Sequence, residues 1–387
     1  MSAGAELIYL DYAATTPLDA EVAERVRSVQ STAYFNPASN HIAGRMSAAV
    51  VQQAAEQLAE LLHVDAADFL WTSGATESNN LAIMGAAKQR AHRGKHLITM
   101  RTEHKAVVDV FKSLEKQGYE VTWLDPESDG RLPLERLEAA VRDDTQFASV
   151  MHINNETGVV QDIAGIGAVC RRHRVLFHVD GAQSTGKVPV DLATLPVDLY
   201  SLTAHKFYGP KGIGALYVAS GTALEPLLFG GGQQKKLRPG TLPVDLIAGL
   251  GEAAAVAAHR MDKDLAYLTK LKDLLWRGIA DIDGLQLNGP EMGAYPGILN
   301  VGIQDIEGES LLLALDPLCV ASGSACNSQI QEPSYVLRAL GRSDREAQSA
   351  IRFSLGRMTT RDDIEAAISL YRRAVLKLRD LAPEQVA

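Results

Sequence analysis

The chain has 387 residues and a mass of 41.7 kDa, with 46% apolar and 22% charged residues, so it can bury a large core and two domains are expected. A formal charge of -9 and a pI near 5.6 argue against a nucleic-acid-binding surface, which the short basic clusters Arg171-Arg172-His173-Arg174 and Lys235-Lys236 do not restore. There is no basic, then apolar, N-terminal leader and no apolar run as long as a membrane span, and Cys170, Cys319 and Cys326 lack Cys-x-x-Cys spacing, so neither a disulfide framework nor a zinc knuckle is expected and a reducing cytoplasm is.

From about residue 65 to residue 220 strand and helix patterns alternate, which predicts an α/β domain with a largely parallel sheet. Phe69–Thr72 reads as a strand, and Glu77–Arg90 as a helix with Leu81, Ile83, Met84 and Ala87 on its apolar stripe. His96–Met100 reads as a strand, and Lys105–Lys116 as a helix turning Val107, Val108, Phe111 and Leu114 inward. Strands follow at Tyr119–Leu124 and Phe147–Ile153, then a helix around Ile163–Arg174. Val175–Val179, Asp198–Thr203 and Gly212–Val218 complete the strand series. An Ala-rich stretch, Leu246–Ile279, reads as one or two helices and as the hinge to a C-terminal domain. That domain opens with a strand at Gly297–Ile303 and a helix starting at Gly308 and running to Leu315. It continues with a strand at Ile351–Leu355 and a final amphipathic helix at Arg361–Leu381. No internal repeat or low-complexity segment interrupts the pattern.

In an open α/β sheet, ligands bind outside the carboxyl ends of the strands. Five turns there offer polar groups. Thr72-Ser73-Gly74-Ala75-Thr76-Glu77 joins a strand to a helix, where small residues and a helix N-terminus suit a phosphate; Thr76 either adds a hydroxyl or caps the helix. His104 either stacks on a planar cofactor and moves protons or is a solvated loop histidine. Asn155, in Asn154-Asn155-Glu156-Thr157-Gly158, either donates to a ligand or shapes a turn. Asp180 closes one apolar strand, and Lys206 follows the next. An acid and an amine so placed are what pyridoxal phosphate requires: the amine makes the Schiff base and the acid keeps the pyridine nitrogen protonated. Gln183 lies in reach of the ring's phenolic oxygen, and Thr203 and His205 of the phosphate. Lys211, in a Gly-Pro-Lys-Gly turn, is the rival amine. The bland alternatives are a capping Asp180 and a surface Lys206, and they become improbable only jointly.

Cys326 sits among small residues in Ser322-Gly323-Ser324-Ala325-Cys326-Asn327-Ser328, a segment without bulky anchors, where a thiol can reach a substrate sulfur. Cys170 and Cys319 have apolar neighbours and suit the role of small buried hydrophobes. Arg352 is placed to bind a substrate carboxylate in a bidentate manner, its alternative being a surface ion pair.

Thr-Ser-Gly-Ala-Thr-Glu-Ser at 72–78, Thr-Glu-His-Lys at 102–105, Asn-Asn-Glu-Thr-Gly at 154–158, His-Val-Asp at 178–180, Ala-His-Lys at 204–206 and Ser-Gly-Ser-Ala-Cys at 322–326 together resemble cysteine desulfurases of the NifS/IscS type, within the class V aminotransferase group. Leu10–Pro17 and Glu332–Gly341 match as well, so the resemblance spans nearly the whole chain in order. It implies an α/β, PLP-dependent transferase fold of type I. A large domain, 16–257, would hold a mostly parallel central sheet flanked by helices. A smaller α+β domain, 1–15 and 258–387, would carry a mobile cysteine loop at about 319–333.

By the resemblance, Lys206, Cys326 and His104 are catalytic, and no metal is involved. Asp180 partners the pyridine nitrogen, Gln183 the ring oxygen, and His104 stacks on the ring. Ala75, Thr76, Thr203 and His205 surround the phosphate, while Thr241 reaches the phosphate of a neighbouring subunit. Asn155 and Arg352 hold the substrate carboxylate. The implied reaction converts L-cysteine to L-alanine and leaves a persulfide on Cys326. A sulfur-acceptor protein then takes it, for iron–sulfur cluster assembly, tRNA thiolation or another sulfur-containing biosynthesis. The implied assembly is a cytoplasmic homodimer. Selenocysteine lyase or another class V aminotransferase is the neighbouring alternative, and a cofactor-free sulfur carrier or scaffold the remote one. Two departures stand out. Gln233-Gln234-Lys235-Lys236-Leu237 replaces a segment that usually holds an acid and often a glycine, which bears on the local entrance and interface charge. The chain also lacks the longer tail with which housekeeping relatives dock the iron–sulfur scaffold, which argues against service to that scaffold.

Overall fold

The computed structural model describes residues 7–322 and 332–381. A two-residue strand, β1 (Ile8–Tyr9), precedes helices α1 (Ala20–Thr32) and α2 (Ile42–Leu62). Asp19 caps α1 by accepting from the Glu21 N–H at 3.0 Å, and His41 caps α2 through Nδ1, 3.1 Å from the Gly44 N–H.

Alternation then begins. In order come β2 (Phe69–Thr72), α3 (Ala75–Gln89), β3 (His96–Met100), α4 (Lys105–Lys116), β4 (Glu120–Leu124) and α5 (Leu134–Ala140). They are followed by β5 (Thr145–Met151), α6 (Ile163–Arg172), β6 (Leu176–Asp180), β7 (Leu199–Thr203) and β8 (Gly214–Val218). The strands form one seven-stranded sheet in the order β2-β8-β7-β6-β5-β3-β4. Pairings from β7 through β4 are parallel, and β8 runs antiparallel to both its neighbours. Strands β3, β5, β6 and β7 are buried along their whole length, because helices cover both faces. Leu81, Ile83, Val107, Phe111 and Leu114 of α3 and α4 pack on one face. Leu58 of α2, Ile166 of α6 and Leu250 of the next helix belong to the core of the other.

The predicted strand Phe147–Ile153 is displaced: the ladder runs from Thr145 to Met151. Beyond Met151 the backbone turns on itself, with the Gly158 N–H donating to the Asn154 carbonyl and the Asn154 N–H to Val159, both at 2.9 Å. That turn takes Asn155 off the sheet and into the rim.

The Ala-rich stretch is one 36-residue helix, α7 (Val244–Ile279). Its first half packs on the large sheet through Ile247, Leu250 and Ala253. Its second half packs on a separate core through Leu268, Leu271 and Leu275. This second core is built by β9 (Leu285–Leu287), β10 (Ile298–Ile303), α8 (Gly308–Ala314), β11 (Leu318–Cys319) and β12 (Ala321–Ser322). The short helices α9 (Tyr335–Ala339) and α10 (Asp344–Gln348), then β13 (Ile351–Ser354) and α11 (Arg361–Leu381), complete it. A four-stranded antiparallel sheet runs β12-β13-β10-β9, while β1 pairs in parallel with β11. Leu10 and Ala13 join the second core, and Asp11 bridges to Ser354 of β13. The N-terminal segment therefore crosses from the small sheet to the large one. Arg357 fastens it. This nearly buried guanidinium pairs with Asp19 at 3.0 Å and with Asp264 of α7 at 2.9 Å, and lies 3.9 Å from the centre of the Tyr208 ring.

Candidate active site

Strand direction decides what meets at the rim. Strands β2, β3, β5, β6 and β7 all end on the same side, and their turns surround one cavity of about 900 Å³. Its lining includes Ala75, Thr76, His104, Asn155, Asp180, Gln183, Thr203, His205, Lys206 and Arg352. Two expected residues stand apart. Thr241 is exposed at the foot of α7 and outside this lining. Cys326 lies outside the described residues, although Ser322 and Glu332, the described residues on either side of its segment, both line the cavity.

Lys206 ends a single helical turn that follows β7. Its Nζ donates to the carbonyls of Ala13 at 2.6 Å and Ala14 at 2.7 Å. The rival Lys211 also lines the cavity, but is exposed. Asp180 is buried at the end of β6. Its Oδ1 accepts from the Ala182 N–H at 3.0 Å and its Oδ2 from Asn79 Nδ2 at 2.7 Å. Both donors are neutral, so a buried carboxylate on the cavity wall is oriented but not neutralised by them. A protonated pyridine nitrogen fits that position.

Asn79 was not predicted. It is fully buried on α3, and its Oδ1 has no hydrogen-bond partner. A polar residue in register with the inward-facing Ile83 and Ala86 is the signal that could have exposed it. Glu103 was likewise passed over. It is fully buried, with Oε1 accepting from the Met151 N–H at 2.9 Å and Oε2 unpartnered. Burial pushes its carboxyl well above the ordinary range, against the Met151 bond and together with Asp180.

His104 caps α4, its Nδ1 accepting from the Ala106 N–H at 3.1 Å. Burial holds the imidazole below its usual pKa. Asp180 opposes this and Lys206 reinforces it. A neutral ring that accepts at Nδ1 carries its proton on Nε2.

The β2–α3 turn lines another part of the cavity. Gly74 is the N-cap of α3 and no side chain caps the helix, so Thr76 is not the N-cap and lies exposed in the first turn. The uncapped N–H groups there suit an anion. Close approach of β8 makes this geometry possible: a Cβ on Gly214 would lie 2.7 Å from the Gly74 Cα. Thr203 is buried, its hydroxyl donating to the Ile213 carbonyl at 3.3 Å. His205 Nδ1 sits 3.2 Å from the Thr15 hydroxyl, and burial, aided by Lys206, Lys211 and Lys187, pulls it down to about 4. Glu77 braces the turn by accepting from the Ser73 N–H at 2.6 Å and pairing with Arg238 at 2.8 Å. Burial works against its charge, but Arg238 and Ser73 prevail and lower its pKa. In the divergent segment, Gln234 extends the sheet edge: its amide accepts from the Trp71 N–H at 2.6 Å and donates to the Trp71 carbonyl at 3.0 Å.

Arg352, on β13, is buried to 7% exposure. Its two Nη atoms donate to the Asn155 carbonyl at 2.8 Å and to Asp11 at 2.7 Å, while Nε has no hydrogen-bond partner. Its guanidinium is thus held at the cavity wall by the Asn155 carbonyl and Asp11. Next to it, Glu156 accepts from the Ser334 hydroxyl at 2.6 Å, and burial lifts its carboxyl to about 7 against the pull of Ser334 and Arg352. Of the other two thiols, Cys170 is pushed up to about 12 by burial, and then by Asp198. Cys319 is raised by burial, and then by Asp11 and Asp316. Neither lines the cavity. Among the described residues no cluster of His, Cys, Asp and Glu could hold a metal ion.

The model of the family described as Aminotransferase class-V matches residues 8–367. The chain belongs to the class V aminotransferase family. Among the curated proteins it resembles, a cysteine desulfurase IscS from Klebsiella pneumoniae is 52% identical over 97% of this chain and 94% of that protein. A second cysteine desulfurase IscS, from Serratia proteamaculans, is 51% identical over the same shares. Among solved structures, one titled NIFS-like protein superposes with a TM-score of 0.90 at 32% identity, covering 96% of this chain and 100% of that one. DndA from Streptomyces lividans superposes with a TM-score of 0.78 at 41% identity, covering 90% and 99%. SspA, solved in complex with cysteine, does so at 0.81 and 36% identity, covering 91% and 99%. Within its family the chain is thus of the NifS/IscS cysteine desulfurase type, and it depends on pyridoxal phosphate.

Proposed function

We propose that this enzyme is a cysteine desulfurase that converts L-cysteine to L-alanine and transfers the sulfur to Cys326. The observation that carries the reading is the single cavity into which β6 and β7 bring Asp180 and Lys206, with Arg352 arriving from the small sheet. Bound pyridoxal phosphate would supply an electron sink that makes the substrate Cα–H bond acidic and weakens the Cβ–S bond. The chain's residues do the rest. Asp180 would hold the ring nitrogen protonated, His104 would pack on the ring, and Gln183 would donate to its oxygen. Ala75 and Thr76 at the start of α3, with Thr203 and His205, would receive the phosphate. Arg352, with Asn155, would fix the substrate carboxylate.

In this reading Lys206 takes the proton from Cα and returns a proton as the carbon skeleton becomes alanine. The Cys326 thiolate attacks the substrate sulfur. The Cβ–S bond breaks as an S–S bond forms, and one cysteine plus one thiol yields one alanine plus one persulfide. A reach argument supports the thiol's role. Cys326 lies four positions after Ser322 on the cavity wall, a span of at most roughly 14 Å.

A persulfide needs an acceptor, and we assign that place to a sulfur-acceptor protein, an iron–sulfur scaffold or a carrier feeding tRNA thiolation or another sulfur-containing biosynthesis. Two domains, 16–257 against 1–15 with 258–387, are supported by the separate cores that the two halves of α7 join. A homodimer would give Thr241 a phosphate to reach. No helix among the described residues is long and apolar enough to cross a membrane, and a cytoplasmic site is our expectation. The test is Cys326→Ala, assayed for alanine release and persulfide with the acceptor present. Visible cofactor absorbance should persist and persulfide should vanish; unchanged turnover would refute the role of the thiol.

A further inference from the structure

Lys187 takes no part in the reaction drawn above, yet it is wired to the catalytic lysine. Its Nζ donates to Gln183 Oε1 at 2.5 Å. Gln183 Nε2 donates to the Ala13 carbonyl at 2.8 Å, and Lys206 Nζ donates to that same carbonyl at 2.6 Å. Behind the cavity wall, the Lys187 amine also lies 5.7 Å from the centre of the Tyr295 ring.

The chemistry of these groups admits one arrangement. A carbonyl oxygen only accepts, so Ala13 requires the NH2 face of the Gln183 amide. The amide oxygen then points away from Ala13, and a donor must meet it. Lys187 is that donor, and an amine can donate whether or not it is protonated. Gln183 itself lies buried in the cavity lining. Its Nε2 bears two hydrogens, of which Ala13 takes one. We propose that Lys187 is a positioning residue that fixes the orientation of the Gln183 amide, keeping the second Nε2 hydrogen available to the cofactor and the Ala13 carbonyl in place for Lys206. This rests on the pyridoxal phosphate site described above.

Burial, with the charges of Lys206 and Arg352, lowers the Lys187 pKa well below its ordinary value. The titratable or charged groups facing it are these two, His205 and the Tyr295 phenol. The amine is therefore held where its charge is unwelcome, as suits a group kept for its N–H.

The test measures pyridoxal phosphate affinity by absorbance titration of the apoprotein for wild type, Lys187→Met, Lys187→Arg, Gln183→Ala and the Lys187→Met/Gln183→Ala double variant. Lys187→Met should weaken binding about tenfold, and Lys187→Arg should restore most of it. The double variant should be no worse than Gln183→Ala alone, because Lys187 acts through the amide. Melting curves check folding, and if Lys187→Met does not fold, Lys187→Gln, a neutral donor, takes its place and should bind like Lys187→Arg. Unchanged affinity in Lys187→Met, independent additive losses, or failure of both donor-bearing variants would overturn the proposal. A wild-type protein that takes up no pyridoxal phosphate would overturn the site itself.

Discussion

Glu156 offers a quantitative test of the join between the two cores. Its carboxyl lies buried on the β5 turn and accepts from Ser334, 178 residues further along the chain. Burial lifts its pKa from 4.5 to about 7. The folded state therefore prefers the protonated acid. At and below pH 4.5 the group costs the fold little. As pH rises towards 7 the unfolded chain ionises first, and stability is lost. At 1.36 kcal/mol per pH unit, the full loss is about 3 kcal/mol, of which about 2 kcal/mol accrues between pH 5.5 and 8. Glu156→Gln keeps an acceptor for Ser334 and removes the proton. Urea denaturation of wild type and Glu156→Gln across that pH range should show the variant gaining on wild type by about 2 kcal/mol as pH rises. A stability gap between the two that stays flat with pH would refute the argument, and a variant that loses ground to wild type as pH rises would reverse its sign.

Two further outcomes follow from buried partners. Asn79→Ala removes a 2.7 Å bond to the Asp180 carboxylate, and should lower stability by about 1.5–3 kcal/mol and weaken cofactor uptake; denaturation together with absorbance titration reads both, and a variant unaffected in either would show that Asn79 does not orient Asp180. Arg357→Met strips the guanidinium that pairs with both Asp19 and Asp264, leaving Asp264 its longer 3.7 Å pair with Arg260. It should cost about 3–5 kcal/mol by chemical denaturation, and a loss under about 1 kcal/mol would mean that the acids are solvated without it.

Legibility in the sequence followed how locally each feature is encoded. Helix α4, with Val107, Val108, Phe111 and Leu114 on one side, was readable to the residue, as was α11. Helix α1 was not, since its buried side is carried by Val22 and Val29 alone. Helix α2 was hidden because small alanines make much of its buried surface, and a stripe of Ala gives little periodic contrast. The five-residue helices α9 and α10 are too short to show a period. Where long apolar strands met, their ends pointed to Asp180 and Lys206, because parallel strands must finish together at one rim. Their supporting partners were out of reach. Asn79 meets Asp180 across 101 positions and Lys206 meets Ala13 across 193, and only tertiary packing brings such pairs together. Lys187, four residues from Gln183, was close enough in sequence to find, but its role depends on the Ala13 carbonyl.

The amine at 206, which shares its cavity with Asp180, is the group that would receive the cofactor. Borohydride reduction of the enzyme loaded with pyridoxal phosphate, followed by peptide mass mapping, reads the attachment point directly. The reduced pyridoxyl group is expected on Lys206; finding it on Lys211 or Lys187, with Lys206 unmodified, would overturn that assignment.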